Sequence, residues 1–197
     1  MKSACRRWTR HVVCAAIVMA LGAVTTVAVA RDQADEEVAW QALRQGAVLL
    51  VRHANAPGVG DPADFRLGDC RTQRNLDPTG REQARRLGER FTSHRIAVGA
   101  VLASQWCRTR ETAELAFPNR VHEDASFNSF FGDSTSQPAQ TAAALNTLKR
   151  WKGPGALVVV THQVNITALT GVVPTSGEGV VVRSKADGIE VIGRVVP

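Results

Sequence analysis

Two arginines and two histidines in this sequence are of the residue types that bind and transfer a phosphate. Arg52 and His53 are adjacent, Arg108 and His162 lie further along the chain, and each group comes shortly after an apolar run. Guanidinium groups match phosphate oxygens bidentately. A neutral imidazole nitrogen is a good nucleophile, and a phosphohistidine divides a difficult hydrolysis into two easier steps. Because such a reaction needs mainly positioning and charge stabilisation, this set predicts metal-free phosphoryl transfer.

The three apolar runs that precede these residues predict buried strands. They are residues 47–51, 96–103 and 156–160. Uninterrupted runs of this kind are typical of strands covered on both faces in a parallel sheet. Ligands of open α/β sheets bind outside the carboxyl ends of the strands. The arginines and histidines are therefore expected to converge on one pocket.

Helical patterns alternate with these strands. The clearest has Asp77 as N-cap, Pro78 at the first helical position and its end near His94. Two β-branched runs around Asp187-Gly188 predict a β-hairpin. Further helices are expected at residues 38–44, 109–117, 137–152 and 165–169, with a short edge strand at 119–122. The alternation predicts an α/β fold, a three-layer α/β/α sandwich with a mostly parallel central sheet.

Residues 1–30 have the organisation of a secretory signal peptide. A basic region is followed by an apolar region at residues 12–27 and by an A-x-A sequence at 28–30. The alternative is a retained membrane anchor, since residues 12–30 are almost long enough to span a bilayer. Cleavage is favoured because the small residues have no purpose in an anchor. The sequence thus predicts a periplasmic or secreted domain at residues 31–197, without a stable membrane span after cleavage.

The formal net charge of +6 belongs largely to this first segment. It holds four of the 24 basic residues and none of the 18 acidic ones, which leaves a net charge of +2 for residues 31–197. No cluster of Lys and Arg with interleaved aromatic residues follows. Binding to nucleic acid is therefore not expected.

Cys70 and Cys107 are the cysteines that remain after the predicted cleavage. Two cysteines in an oxidising compartment suggest a disulfide, and a Cys70–Cys107 bridge is the resulting hypothesis. Neither cysteine has a second Cys or His at the spacing of metal ligands. No metal and no other cofactor is expected.

Several segments resemble the motifs of the histidine phosphatase (phosphoglycerate mutase-like) superfamily and follow that family's order. Arg52-His53-Ala54 resembles the R-H-G signature, with Ala54 in place of the usual Gly. The L-T-x-x-G-x-x-Q-A motif is similar to Asn75-Leu76 with Gly80 and Gln83-Ala84, and the S-x-x-x-R-T-x-x-T-A motif is similar to Ser104 to Ala113. The second-histidine motif is similar to Thr161-His162 with Ile166, Leu169 and Gly171. The resemblance covers residues 47 to about 171.

This resemblance implies a role for each matching residue. His53 would be the nucleophile that becomes phosphorylated, and Arg52, Arg108 and His162 would be its partners in the phosphate pocket. Gln163 stands where the larger acid phosphatases of the family carry an Asp. That difference places the chain in the small-domain branch.

The sequence differs from the family at the position of the proton donor. Ser129 stands where many relatives carry a Glu. Asp133 is the leading substitute, followed by Glu123 and Asp124, and the alternative for each is a solvated loop acid. Because an ester with an easy leaving group needs less proton donation, a missing acid would narrow the substrate range without abolishing hydrolysis.

Other residues near the motifs are candidates for contacts with the substrate. Arg74 and Asn75 could reach the pocket from the start of the second helix, although a surface or helix-end charge is favoured for Arg74. Trp106 and Phe130-Phe131 could line a sugar-sized opening, but core packing is favoured. The irregular loop at residues 55–69 is either functional or an ordinary surface excursion. Two further histidines are expected at the surface: His94 and His122.

Taken together, these features predict an exported, metal-independent phosphomonoesterase that acts through a phosphohistidine on a small phosphorylated substrate. Exported relatives with this pattern are associated with dephosphorylation of lipopolysaccharide core heptose, so the resemblance suggests a cell-envelope sugar phosphate. A non-catalytic phospho-ligand binding protein is the main alternative, given Ala54 and the absent Glu. A phosphomutase is a further alternative that export disfavours, because the glycolytic substrate is cytoplasmic.

Overall fold

The computed structural model describes residues 35–197. The predicted signal peptide, residues 1–30, lies outside the described residues. The chain divides into two units, residues 1–37 and 38–197, and the second contains the sheet and the candidate site. No helix within the described residues combines the length and the apolar composition needed to cross a membrane.

Strands and helices alternate along the described residues as the sequence pattern predicts. The strands are β1 (Val48–Arg52), β2 (Val98–Ala103), β3 (Val121–Glu123), β4 (Ala156–Thr161), β5 (Gly179–Ser184) and β6 (Ile189–Val195). The helices are α1 (residues 35–44), α2 (Pro78–Ser93), α3 (Cys107–Ala116), α4 (Gln137–Arg150) and α5 (Gln163–Thr170). Short 3-10 turns lie at Cys70–Thr72, Ala125–Phe127 and Ser134–Ser136.

The six strands form one sheet in the order β3-β2-β4-β1-β5-β6. Neighbours among β3, β2, β4 and β1 are parallel, whereas β5 runs antiparallel to β1 and β6. The register pairs Arg52 of β1 with Thr161 of β4, and Ala103 of β2 with Val160 of β4. The carboxyl ends of β1, β2 and β4 therefore meet at one edge, and the predicted mostly parallel sheet is confirmed.

Alternate residues of β1 face two separate cores, which explains why the strand has no polar position before Arg52. Leu49 and Val51 pack with residues of α1, α2 and α3 on one face of the sheet. Val48 and Leu50 pack with residues of α4 and α5 on the other face. Complete burial of one such side chain contributes about 1.5–3 kcal/mol. The architecture is the predicted three-layer α/β/α sandwich.

Helix α2 begins and ends at the residues predicted from the sequence. The Asp77 side chain accepts a hydrogen bond from the N–H of Gly80 (2.7 Å), and Pro78 is the first helical residue. The helix ends before His94, which is its C-cap. The surface position expected for His94 is wrong: its half-buried ring stacks on Trp40 of α1, with ring centroids 4.2 Å apart.

Helices α3 and α5 each begin two residues earlier than predicted, at Cys107 and Gln163. Neither helix has a side-chain hydrogen bond at its N-cap, so no capping residue marks its start in the sequence. Both helices follow within a few residues of a parallel strand. Because α3 begins at Cys107, Arg108 lies in its first turn, where the helix dipole favours an anion.

A disulfide joins Cys70 to Cys107, with 5.7 Å between the Cα atoms. This confirms the bridge hypothesised from the sequence. It links the Cys70–Thr72 turn to the first residue of α3, next to Arg108. Because the cysteines are 37 positions apart, the bridge contributes about 4 kcal/mol to stability in the chain-entropy model.

Candidate active site

His53 lies directly after β1 and is 3% exposed. Its backbone N–H donates to the carbonyl oxygen of Thr161 in β4 (2.9 Å), which fixes it at the sheet edge. Its ring Nδ1–H donates to the Ala54 carbonyl oxygen (2.8 Å). Since a carbonyl can only accept, this contact assigns the proton to Nδ1 and leaves the lone pair on Nε2. Nε2 is therefore the nitrogen available for attack on phosphorus.

The pKa of His53 is lowered to about 3, first by burial and then by the charge of Arg108, with smaller contributions from Arg52 and Arg74. The hydrogen bond to Ala54 opposes this shift only in part. The imidazole is therefore neutral at physiological pH. A nucleophile needs this form, because a protonated imidazole has no lone pair to donate.

We expect His53 to make the protein less stable in mild acid. The unfolded state binds a proton at a pKa near 6.5 and the folded state only near 3, so the contribution of His53 is complete above pH 6.5 and is lost as the pH falls. This loss amounts to about 2 kcal/mol between pH 7 and pH 5. Urea unfolding at both pH values should show a smaller decrease in His53→Gln than in the wild type. An equal decrease in both proteins would contradict a neutral, buried His53.

One cavity of about 620 Å³ brings most of the predicted site residues together. These residues carry guanidinium or imidazole groups: Arg52, His53, Arg74, Arg108 and His162. Burial lowers the pKa of Arg52, and burial with the charge of Arg108 lowers the pKa of Arg74. A site that collects this much positive charge away from solvent is suited to an anion.

Three arginine Nε atoms at this cavity are buried and have no hydrogen-bond partner among residues 35–197: those of Arg52, Arg74 and Arg108. Other atoms of all three side chains are held in place, those of Arg108 by Asp61. Arg52 donates from Nη1 to the Pro174 carbonyl oxygen (3.0 Å), and Arg74 donates from Nη1 to that of Gly58. A buried donor without a partner costs about 1–3 kcal/mol. The three arginines nevertheless line the same cavity, and a phosphate bound there would lie among their guanidinium groups.

His162 lies at the end of β4, with its ring centroid 5.5 Å from that of His53. Its Nδ1 is 3.5 Å from Nη2 of Arg108, which makes Nδ1 the acceptor. Nε2–H then donates to the Ser104 hydroxyl oxygen (2.8 Å). Burial, together with His53 and Arg108, lowers the pKa of His162 well below its usual value. The cavity therefore contains a second neutral imidazole in a fixed orientation.

Ala54, which replaces the usual glycine, fits the fold at its position. It is fully buried and packs with Leu76 and Ala84 beneath the loop that follows His53. Its N–H donates to the Thr112 hydroxyl oxygen (3.1 Å), and that hydroxyl donates to the Arg108 carbonyl oxygen (2.6 Å). The threonine of the arginine motif thus ties the His53 loop to α3.

Asn55 connects this loop to the start of α2. Its N–H donates to Oε1 of Gln83 (2.9 Å), and its side-chain Nδ2 donates to Oδ2 of Asp77 (2.8 Å). A Cβ atom on Gly80 would lie 2.1 Å from the Asn55 carbonyl oxygen. The glycine and glutamine of the second motif therefore hold the His53 loop against α2.

Asp61, which sequence reasoning missed, forms an ion pair with Arg108. Its Oδ1 is 2.6 Å from Nη1 and its Oδ2 is 3.2 Å from Nη2, and the indole N–H of Trp106 donates to Oδ2 (2.9 Å). Burial alone would raise the pKa of the Asp61 carboxyl, but the hydrogen bonds from Arg108 and Trp106 outweigh it and lower the pKa. The available sequence signal was the position of Asp61 in the irregular loop at residues 55–69.

Asp133 lines the same cavity at an exposed position. Its Oδ1 accepts a hydrogen bond from the N–H of Thr135 (3.1 Å) and thereby caps a 3-10 turn. The two alternative acids do not line this cavity. Glu123 forms an exposed ion pair with Arg110 (2.9 Å), and Asp124 caps the turn at Ala125–Phe127. Of the three candidates, only Asp133 lies close to the arginine cluster.

Asn75 does not lie at the His53 cavity. It lines a second cavity of about 650 Å³, together with Cys70 and Arg81. Its Nδ2 donates to the carbonyl oxygens of Cys70 (2.7 Å) and Gln73 (3.0 Å). These bonds stabilise the disulfide-linked turn, while the neighbouring Arg74 faces the His53 cavity.

The aromatic residues divide between the core and the cavity. Phe130 is buried, as favoured from the sequence. Trp106 and Phe131 line the His53 cavity instead. Trp106 also stacks on Phe65 of the 55–69 loop, with ring centroids 5.1 Å apart. This stacking helps to hold the loop over the arginine cluster.

The fold and the site together define a class of protein: an α/β/α phosphatase-type domain with a neutral histidine and an arginine cluster at one end of a parallel sheet. The model of the histidine phosphatase superfamily (branch 1) matches residues 48–144. The chain belongs to this superfamily and is a phosphatase of the histidine phosphatase type. No curated protein sequence matches it significantly.

Solved structures of low sequence identity share the fold. The protein histidine phosphatase SixA complexed with tungstate is 16% identical, with a TM-score of 0.52 over 77% of this chain and 97% of that chain. A phosphoglycerate mutase from Thermus thermophilus is 17% identical, with a TM-score of 0.54 over 77% and 99%. A phosphoserine phosphatase from Entamoeba histolytica in complex with 3-phosphoglyceric acid is 13% identical, with a TM-score of 0.56 over 77% and 98%.

Proposed function

We propose that this protein is an exported, metal-independent phosphomonoesterase that acts through a phosphohistidine intermediate. One observation carries the proposal: three arginines, each with guanidinium donors, line one cavity with a neutral His53. The donors can hold a phosphate, and the neutral imidazole can attack it.

In this mechanism the arginine cluster holds the phosphate of the substrate, and His162 contacts Arg108 of that cluster. Nε2 of His53 attacks phosphorus, and the bond from phosphorus to the leaving oxygen breaks. Water then attacks the phosphohistidine and releases inorganic phosphate. Arg52, Arg74 and Arg108 stabilise the charge on the transferring group in both steps, so no metal is required for that purpose.

The proposed substrate is a small phosphorylated molecule, specifically a sugar phosphate of the cell envelope. The sequence resemblance to exported heptose phosphatases supports this choice, and so does the predicted signal peptide, which implies a periplasmic or secreted location. A cavity of about 620 Å³ is large enough for a monosaccharide phosphate. Ser129, Asp133 and Gln163 line it as well, and they offer hydrogen-bonding groups for sugar hydroxyls.

A phospho-ligand binding protein without turnover is the second candidate. Ser129 at the position of the family's Glu favours it, because the usual proton donor is missing. A phosphomutase is less well supported, because the predicted export separates the protein from cytoplasmic phosphoglycerate.

Incubation of the purified protein with 4-nitrophenyl phosphate in EDTA separates these candidates. We expect release of phosphate and an acid-labile, alkali-stable phosphoenzyme. A release no greater than that of His53→Ala at every pH from about 5 to 8, the range in which imidazole ordinarily titrates, would favour the binding protein. Release that disappears in EDTA would contradict the metal-independent mechanism. A screen of phosphorylated envelope sugars would then test the substrate.

A further inference from the structure

Among the residues that the structure describes, two acids line the His53 cavity. The side chain of Asp61 is 18% exposed and contacts Arg108, whereas Asp133 is exposed and caps a turn. We propose that Asp61 is the proton donor, which protonates the leaving oxygen as His53 attacks phosphorus. This role rests on the proposed phosphomonoesterase function. It names the proton donor, which is the one catalytic group that the sequence motifs do not identify.

The position of Asp61 in the cavity suits this role. In an in-line displacement the leaving oxygen lies opposite the attacking nitrogen. His53 is deeply buried at the sheet edge, so the leaving group points toward the mouth of the cavity. Gly58, Val59 and Asp61 all line this cavity, and Val59 is 88% exposed. Asp61 therefore belongs to the loop on the side where the leaving oxygen must lie.

The ion pair with Arg108 brings the Asp61 carboxylate to the phosphate site. Its oxygens contact Nη1 and Nη2, at 2.6 and 3.2 Å, while Nε of the same guanidinium is buried without a partner. A phosphate that binds this guanidinium therefore lies next to the carboxylate. A proton donor must come within about 2.6–3.2 Å of its acceptor, and the contact with Arg108 holds Asp61 on the cavity wall that the phosphate must approach.

Binding of the substrate provides the reason for Asp61 to take up a proton. In the free protein Arg108 and Arg74 keep the carboxylate ionised. A phosphate dianion places a like charge beside it and draws the Arg108 donors toward its own oxygens. Both changes favour the neutral carboxylic acid. Substrate binding therefore converts Asp61 from the partner of Arg108 into an acid.

The protons and electron pairs balance over the reaction. The lone pair on His53 Nε2 forms the bond to phosphorus, and the pair of the breaking P–O bond stays on the leaving oxygen, which takes the Asp61 proton. In the second step water attacks phosphorus, the P–N bond returns its pair to Nε2, and the Asp61 carboxylate accepts the proton from water. The products are an alcohol and hydrogen phosphate.

Two esters that differ in their leaving group test this role in Asp61→Asn. 4-Nitrophenolate leaves without help from an acid, whereas phenolate needs protonation. We expect kcat/KM for phenyl phosphate to fall about 10²–10⁴-fold, the usual contribution of general acid catalysis, and that for 4-nitrophenyl phosphate to fall about tenfold or less. The ratio of the two values does not depend on the fraction of folded enzyme, so loss of stability in the variant does not obscure the result.

Asp133→Asn provides the matched comparison, because it removes the other carboxylate of the cavity. We expect its ratio for the two esters to stay near that of the wild type. An equal loss for both esters in Asp61→Asn would overturn the proposal and leave Asp61 with only the positioning of Arg108. A selective loss for phenyl phosphate in Asp133→Asn would overturn it in favour of Asp133. Failure of the wild type to hydrolyse either ester would instead refute the phosphomonoesterase function, and the proposal with it.

Discussion

Replacement of His53 by alanine is expected to lower kcat for phosphate release at least about 10³-fold, because it removes the lone pair that forms the bond to phosphorus. The neighbouring imidazole cannot take over this role. His162 accepts at Nδ1 from Arg108 and donates from Nε2 to Ser104, so neither of its nitrogens is free for attack. The variant should also fail to form a phosphoenzyme.

Two quantities are measured with wild type and variant at equal concentration. The first is phosphate release, and the second is the amount of acid-labile, alkali-stable phosphate bound to the protein. His122→Ala is the matched control, because His122 is an exposed histidine on β3 that does not line the His53 cavity. The control should keep the activity and the label of the wild type. Labelling of His53→Ala at the wild-type level would show that another residue is the nucleophile.

Replacement of Arg108 by alanine is expected to reduce stability and activity together. It leaves the Asp61 carboxylate without its ion-pair partner in a largely buried position, and loss of one member of a buried pair costs about 3–5 kcal/mol. It also removes a cation at the proposed phosphate site, which should lower kcat/KM by about 10²–10³-fold, the cost of losing one preorganised donor. Urea unfolding and hydrolysis of 4-nitrophenyl phosphate measure the two effects separately.

Arg110→Ala is the control for this change. Arg110 lies on the same helix, but its ion pair with Glu123 is exposed on both sides, and such pairs contribute about 0–1 kcal/mol. The double variant Arg108→Ala/Asp61→Asn should regain part of the lost stability, because no unpaired carboxylate is then left. Its activity should stay low. Equal stability of Arg108→Ala and Arg110→Ala would contradict a structural role for the buried pair.

The layered fold could be predicted from the sequence because its signals are local. The apolar run of β1 has no polar position, since alternate residues such as Leu49 and Leu50 face opposite cores. Asp77 and Pro78 mark the start of α2 through a hydrogen bond that spans three residues. The starts of α3 and α5 were misplaced because neither helix has a side-chain cap.

The sequence also determined the centre of the site. Arg52 and His53 follow β1, Arg108 comes shortly after β2, and His162 follows β4. Because these strands are parallel neighbours, their carboxyl ends lie at one edge. The Cys70–Cys107 bridge could be predicted as well, because only one pairing was open to the two cysteines left after the predicted cleavage.

Only the tertiary structure decided which loop residues complete this site. Asp61 contacts Arg108 across 47 positions, and no periodicity or capping rule connects residues so far apart in sequence. The adjacent Arg74 and Asn75 face different cavities, because the backbone of a turn, and not its composition, sets the direction of each side chain. Strand order thus placed His53 close to Arg108 and His162, whereas long-range packing of the 55–69 loop placed Asp61 beside Arg108.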